Sequence, residues 1–139
     1  KGFLDWLGRQ SADIVCVQEL KAQESDLVDG MRRIDGLEGH FHPAEKKGYS
    51  GVGLYTRHPP DNVIVGLGIA DIDVEGRYLQ ADFGDLSVIS LYLPSGSSSE
   101  ERLAAKLSFM ERFIPRLHQR AAELNGVSNP VQPMSQRGT

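Results

Sequence analysis

Apolar residues recur along this chain with two different periods. Phe3, Trp6 and Leu7 fall at helical spacing with Lys1, Asp5 and Arg9 opposite, which predicts the end of an amphipathic helix over residues 2–10. The run Ile14-Val15-Cys16-Val17 follows, and four consecutive apolar residues predict a strand over 13–17 covered on both faces. Leu27, Val28, Met31 and Ile34 suggest a short helix between residues 24 and 37. His40 and His42 alternate on an extended segment, and Lys46-Lys47-Gly48 reads as an exposed loop. Val52 to Thr56 predicts a strand, Pro59-Pro60-Asp61-Asn62 a turn, and Val63 to Val65 a short strand before a glycine-containing loop. The clearest pattern is a hairpin. "RYLQADF" alternates from Arg77 to Phe83, Gly84-Asp85 turns, and "LSVISLYL" returns from Leu86 to Leu93.

Pro94-Ser95-Gly96 closes that strand, and "SSSEERLAAKLSFMERF" opens a helix. Ser98 with Glu101 three residues on fits a capping box, and Glu100 and Glu101 suit the positive helix start. Leu103, Leu107, Met110, Phe113, Ile114 and Leu117 share one face, and Pro115 is expected to kink or end the helix. Beyond about Ala121 periodicity is lost, so residues 121–139 read as a disordered or aberrant tail behind a domain over 1–120. Helix, strand, helix, several hairpin strands and a final helix predict a mixed α/β layered domain.

Composition narrows the function classes. The chain has 139 residues, enough for one core, with a net charge of −4. An acidic domain offers no bulk electrostatic case for binding nucleic acid, so any polyanion has to be met by a local patch or by metal. Cys16 is the single cysteine, read as a buried structural thiol. A chain with one cysteine forms no intrachain disulfide, which agrees with a reducing, cytoplasmic setting. No window approaches the length of an apolar membrane span.

The candidate chemistry is acidic, phenolic and cationic. Glu19 follows the buried strand directly, where open α/β sheets gather their ligands. A hard divalent cation needs few protein oxygens, often one or two carboxylates completed by water and substrate phosphate. The alternative for Glu19 is an exposed carboxylate paired with Lys21. Tyr92 lies at another strand end, where a phenol holds a phosphate oxygen or, with a lowered pKa, relays a proton. Its alternative is a rim aromatic packed on the sheet edge. Lys106 sits beside the apolar stripe of the last helix, within reach of the sheet edge or simply snorkelling. "KKGYSGVG" joins two lysines and a tyrosine to three glycines, a composition suited to a phosphate backbone, yet it matches no nucleotide-binding fingerprint. Arg77 faces an anion or pairs with Glu75. The four histidines, His40, His42, His58 and His118, show no zinc spacing and are expected to be solvent-exposed.

Taken in order, "DIVCVQELKAQ", "GYSGVGLYTR", "EGRYLQADF", "SLYLPSG" and "KLSFMERF" resemble the exonuclease III family of apurinic/apyrimidinic endonucleases, in particular its bacterial exodeoxyribonuclease III branch. The resemblance covers roughly residues 1–117. It implies an endonuclease/exonuclease/phosphatase-type four-layer α/β sandwich, of which the N-terminal half is present. It also implies Mg²⁺- or Mn²⁺-dependent phosphodiester hydrolysis at abasic sites and 3′ ends of double-stranded DNA. By this resemblance the metal-binding Glu falls on Glu19, the active-site Tyr on Tyr92 and the helix Lys on Lys106. The DNA-contacting block falls on Gly48, Tyr49 and Ser50, and Arg77 matches an arginine that faces a phosphate. A full-length member is expected to be a monomer.

The family pattern also has an earlier strand carrying an Asn, and later Gly-Asp-x-Asn and Ser-Asp-His blocks, none of which stands in this sequence. The chain as written is therefore expected not to turn over. Two other readings remain open: a phosphodiesterase of the same fold acting on a non-DNA phosphoester, and a non-catalytic remnant.

Overall fold

The computed structural model describes residues 2–124. It divides into two compact units, Lys1–Tyr92 and the segment from Leu93 onward.

The first unit opens with helix α1 (Phe3–Gly8) and strand β1 (Ile14–Gln18). The helix predicted between residues 24 and 37 is broken. A 3₁₀ turn (Glu24–Asp26) and one helical turn, α2 (Asp29–Arg32), lead into the two-residue strand β2 (Arg33–Ile34). The reason lies at Asp35-Gly36, both at positive φ (45° and 84°), which turn the chain back so that Ile34 pairs with Leu37 of β3 (Leu37–His42). Sheet pairing thus overrides the helical spacing of Leu27, Met31 and Ile34. Strands β4 (Val52–Thr56) and β5 (Asn62–Val65) agree with expectation. The glycine-containing loop holds a further turn of helix, α3 (Ala70–Asp73), whose Asp73 carboxylate accepts from the N–H groups of Leu67, Gly68 and Ile69. The hairpin is β6 (Tyr78–Phe83) and β7 (Leu86–Leu91), joined at Gly84-Asp85.

These strands form two antiparallel sheets, β1-β4-β3-β2 and β5-β6-β7. Alternation decides what each face carries. Val52 and Leu54 of β4 meet Leu79 and Ala81 of β6, with Ile14, Val63, Phe83, Val88 and Tyr92 around them, so the sheets pack face to face. On the outer face of the first sheet, Leu7 of α1 meets Leu37 and Tyr55, supported by Val15, Val17, Ile34 and Phe41. The strands covered along their length are β4 and β6, and not β1. Strand β1 lies at a sheet edge, so Cys16 and Gln18 are exposed. The expectation of a fully covered strand with a buried thiol is therefore corrected by the position of the strand in the sheet. His42 is buried, with a ring nitrogen 3.0 Å from the Tyr78 carbonyl oxygen, and His40 is partly buried. Solvent exposure holds for His58 but fails for this pair, because His40 and His42 share the face of β3 that carries its pairing with Leu54 and Val52.

The second unit is built on α4 (Glu100–Leu124). Its N-terminus is capped one residue later than predicted: Ser99, not Ser98, accepts the Arg102 N–H at 3.1 Å. Pro115 lies inside the helix and does not end it, so the helical part of the supposed tail reaches Leu124. The rest of that tail, 125–139, lies outside the described residues. Phe109 and Phe113 stack one helical turn apart, with ring centroids at 5.7 Å. Among the described residues no helix is long and apolar enough to cross a membrane.

Candidate active site

Two strand ends, one from each sheet, define the site. Glu19 is the first residue past β1, and Tyr92 the first past β7. The sheets are joined here by polar contacts: the Ser90 hydroxyl donates to the Val17 carbonyl at 3.1 Å, and the Gln18 amide approaches the same hydroxyl at 3.4 Å. This fixes the two strand ends side by side.

The segment that carries Glu19 is unusual. Glu19 and Lys21 both have left-handed backbones, with φ of 52° and 54°, and so does Ser50 at 48°. Such conformations cost non-glycine residues roughly 1–3 kcal/mol each and persist only where surroundings enforce them. Here the enforcement is direct. Leu20 N–H donates to the Gly51 carbonyl at 3.0 Å and Lys21 N–H to the Ser50 carbonyl at 2.8 Å. A Cβ on Gly51 would lie 3.1 Å from the Leu20 Cβ, so glycine permits this approach. The "GYSGVG" loop therefore supports the Glu19 segment. Ser50 is 3% exposed and contributes its carbonyl to that support, while its buried hydroxyl has no protein partner.

The Glu19 carboxylate is about half exposed and lies 3.6 Å from the Lys21 ammonium, so the predicted pairing is present. The Tyr92 side chain lies close enough to the same carboxylate to feel its charge. Burial, followed by the hydrogen bond and negative charge of Glu19, raises the Tyr92 pKa against the opposing pull of Arg77. This changes the role open to Tyr92. A phenol held above its ordinary range stays protonated near neutral pH and acts as a donor, not as the lowered-pKa relay considered from sequence.

Behind Tyr92 lies a buried cation. The Arg77 side chain is only 5% exposed, and all three of its nitrogens are engaged. Nε donates to Glu75 at 3.2 Å, Nη1 to the Tyr92 carbonyl at 3.0 Å, and Nη2 to the Tyr49 hydroxyl at 2.9 Å. Its guanidinium also faces the rings of Tyr49 and Tyr92, at 5.8 and 5.3 Å from their centroids. The Tyr49 hydroxyl in turn donates to Glu75 at 3.0 Å. Burial and that bond raise the Tyr49 pKa, and Arg77 opposes them. Of the two readings of Arg77 in the sequence, the pairing with Glu75 is present.

Glu19, Tyr49, Arg77 and Tyr92 thus come together. Lys46 stands over the Tyr49 ring at 5.1 Å, and Gly48 is an exposed left-handed turn with open space around it. Lys106 belongs to the second unit, where it packs over Gly96. The residue that sequence reasoning passed over is Glu75, treated there only as a partner for Arg77. The available signal was the Glu-Gly-Arg spacing itself, since Gly76 adopts φ 59° and lets the flanking side chains converge.

A divalent cation can be tested against this donor set. Among the described residues no group of three acidic, histidine or cysteine side chains is close enough to cage an ion. Glu19 alone fits an ion of the magnesium type that takes one protein oxygen and completes its shell with water and phosphate.

A family model described as the Endonuclease/Exonuclease/phosphatase family matches residues 1–133. The chain belongs to that family. It is 32% identical over 112 residues to an exodeoxyribonuclease of Bacillus subtilis, covering 81% of this chain and 43% of that protein. Against the DNA repair nuclease APEX1 of Danio rerio it is 35% identical over 108 residues, covering 74% and 34%. The structure of an AP endonuclease from Archaeoglobus fulgidus superimposes with a TM-score of 0.68 at 27% identity, over 87% of this chain and 45% of that one. The family fold expected from the sequence is thereby established. The chain spans less than half the length of these relatives.

Proposed function

We propose that this chain carries part of the reaction centre of a DNA repair nuclease of exodeoxyribonuclease III type. Its reaction is phosphodiester hydrolysis at abasic sites and 3′ ends of duplex DNA, supported by Mg²⁺ or Mn²⁺. The observation that carries the reading is the convergence of two strand ends from different sheets, Glu19 past β1 and Tyr92 past β7, joined by the bond from the Ser90 hydroxyl to the Val17 carbonyl.

The residues divide the work as follows. Glu19 would hold the cation, which when bound neutralises charge on the scissile phosphate and the departing oxygen. Tyr92, kept protonated beside Glu19, carries a single O–H, and that hydroxyl is the donor available to a phosphate oxygen. Lys46, Lys47 and Tyr49 form the surface that positions the sugar-phosphate backbone without reading base sequence. Lys106 is assigned a supporting catalytic role on the family pattern alone. The single carboxylate also favours a second reading for the isolated chain, that it binds duplex without cutting it.

The test is nicking of a duplex containing one abasic analogue, with Mg²⁺ and then with chelator. A full-length protein containing this segment is expected to nick only with the metal, and Glu19→Ala is expected to abolish most activity and raise the Mg²⁺ requirement. Absence of nicking by the full-length protein removes the assignment. Nicking by the 139-residue chain alone removes the view that its centre is incomplete.

A further inference from the structure

The structure assigns Arg77 and Glu75 a role that the sequence pattern does not: they form a strut between the backbone-contacting Tyr49 and the reaction-centre Tyr92, and are positioning residues, not phosphate ligands. The inference rests on the nuclease reading above and deepens it.

Three observations carry it. The guanidinium is nearly fully buried, and each nitrogen already has an acceptor on a different segment: Glu75, the Tyr92 carbonyl and the Tyr49 hydroxyl. These bonds use three of the five N–H donors, and with the side chain only 5% exposed the remaining two have almost no access to an incoming phosphate. Second, Glu75 closes the triangle by accepting from both Arg77 Nε and the Tyr49 hydroxyl. The phenol of Tyr49 is therefore fixed as a donor to Glu75 and an acceptor from Arg77. Third, the Arg77 backbone is paired to Tyr92 in its own right, since Tyr92 N–H donates to the Arg77 carbonyl at 3.0 Å. A displacement of Tyr49 by a bound backbone is thus transmitted to the strand end that carries Tyr92 and meets Glu19.

The strut makes a prediction that a direct contact does not. A residue that neutralises a phosphate contributes about 0.9 to the slope of log affinity against log salt. A positioning residue leaves the slope alone and lowers affinity at every salt concentration. The experiment is fluorescence anisotropy of the 139-residue chain with a duplex carrying an abasic analogue, across a salt series, for Arg77→Met, Arg77→Lys and Glu75→Ala. All three are expected to bind about tenfold more weakly or worse, because misplacement of a contacting group by a fraction of an ångström is costly, with the slope of the unmodified chain retained. Glu75→Ala is the sharpest arm, since it removes a negative charge beside a polyanion and is nonetheless expected to weaken binding.

A slope reduced by about 0.9 in Arg77→Met, near-normal affinity in Arg77→Lys, or tighter binding by Glu75→Ala each overturns the strut. Should Arg77→Met fail to fold, the lysine and Glu75 variants decide the matter by themselves. No salt-dependent binding by the unmodified chain overturns the strut, while the nuclease reading stands or falls separately on nicking by the full-length protein; the other outcomes bear on the strut alone.

Discussion

Gly76 separates Glu75 from Arg77, and its replacement by alanine isolates how tightly the site is built. A Cβ at this position would lie 2.5 Å from the His42 carbonyl oxygen and 2.7 Å from both Ala44 N and Pro43 C. All three are backbone atoms, so no side chain can swing aside. The residue also has φ 59°, a conformation that costs an L-residue roughly 1–2 kcal/mol. Against this, alanine narrows the unfolded ensemble and returns about 0.4–1 kcal/mol. Relieving the contact requires the 42–45 segment to move away, which adds about 1–3 kcal/mol of packing strain. The same movement stretches the bond from Glu45 N–H to the Val74 carbonyl, 2.9 Å long, worth about 1 kcal/mol.

Gly84 supplies the control. It has the same φ of 59° but nothing within 4 Å of its Cβ position. Gly84→Ala is therefore expected to cost no more than about 1.6 kcal/mol, from conformation alone. Gly76→Ala is expected to cost about 2–4 kcal/mol beyond that. In urea, with a slope near 2 kcal/mol per molar, this separates the two midpoints by roughly 1–2 M. Far-UV circular dichroism across a urea series of the two variants and the parent measures it. Equal midpoints would refute the reasoning, since they would show that the close approach at Gly76 is not enforced in solution.

Two other predictions concern titratable groups. Glu19→Gln is expected to bring the ionisation of Tyr92 down toward its ordinary value of 10.0, because the carboxylate supplies two of the causes that raise it; an unchanged tyrosinate absorbance titration contradicts the contact. Raised phenol pKa values at Tyr49 and Tyr92 mean that the folded state holds its protons more tightly than the unfolded chain. Their contribution is complete below pH 10.0 and lost as pH climbs through the folded values, so urea midpoints should fall on the alkaline side and fall less steeply in Tyr92→Phe. Cys16 is exposed on an edge strand while partial burial raises its thiol pKa. A disulfide reagent should titrate it fully in the native state, more slowly than free cysteine at neutral pH; reaction only after denaturation would return it to the core.

What the sequence revealed, and what it hid, follows from the range of the interactions involved. The β6–β7 hairpin was legible because alternation and its Gly84-Asp85 turn are local, and β4 because its apolar content marks a covered strand. The β2–β3 hairpin was missed although Asp35-Gly36 is a strong turn signal, since the helical spacing of Leu27, Met31 and Ile34 pointed the other way. The placement of Cys16 could not be read, because an apolar run does not say whether its strand lies at a centre or at an edge. Glu19 and Tyr92 stood out in the sequence by their places just past two apolar strands, and the family blocks then fell on the same residues. Their proximity was not readable from spacing, because it joins the ends of strands in two different sheets.

The polar centre depends on that same two-sheet arrangement in a way that limits how it can be altered. The Glu19 segment is held by Ser50 and Gly51, Tyr49 by Glu75 and Arg77, and Tyr92 by Arg77, so the loop before β4 braces both halves of the centre. Every one of these braces is a backbone hydrogen bond or a part-buried charge-assisted bond. None is an exposed ion pair of the kind that contributes little. The exposed pair, Lys21 with Glu19, lies outside this set, and a cation held at Glu19 as proposed would have to displace it. A centre built this way keeps rigid what must be placed and leaves loose only what must be exchanged. Substitution at Lys21 should therefore shift the metal affinity proposed for Glu19 while leaving the urea midpoint of the fold nearly unchanged, whereas substitution at Gly51 or Gly76 should lower the midpoint and disturb the centre with it.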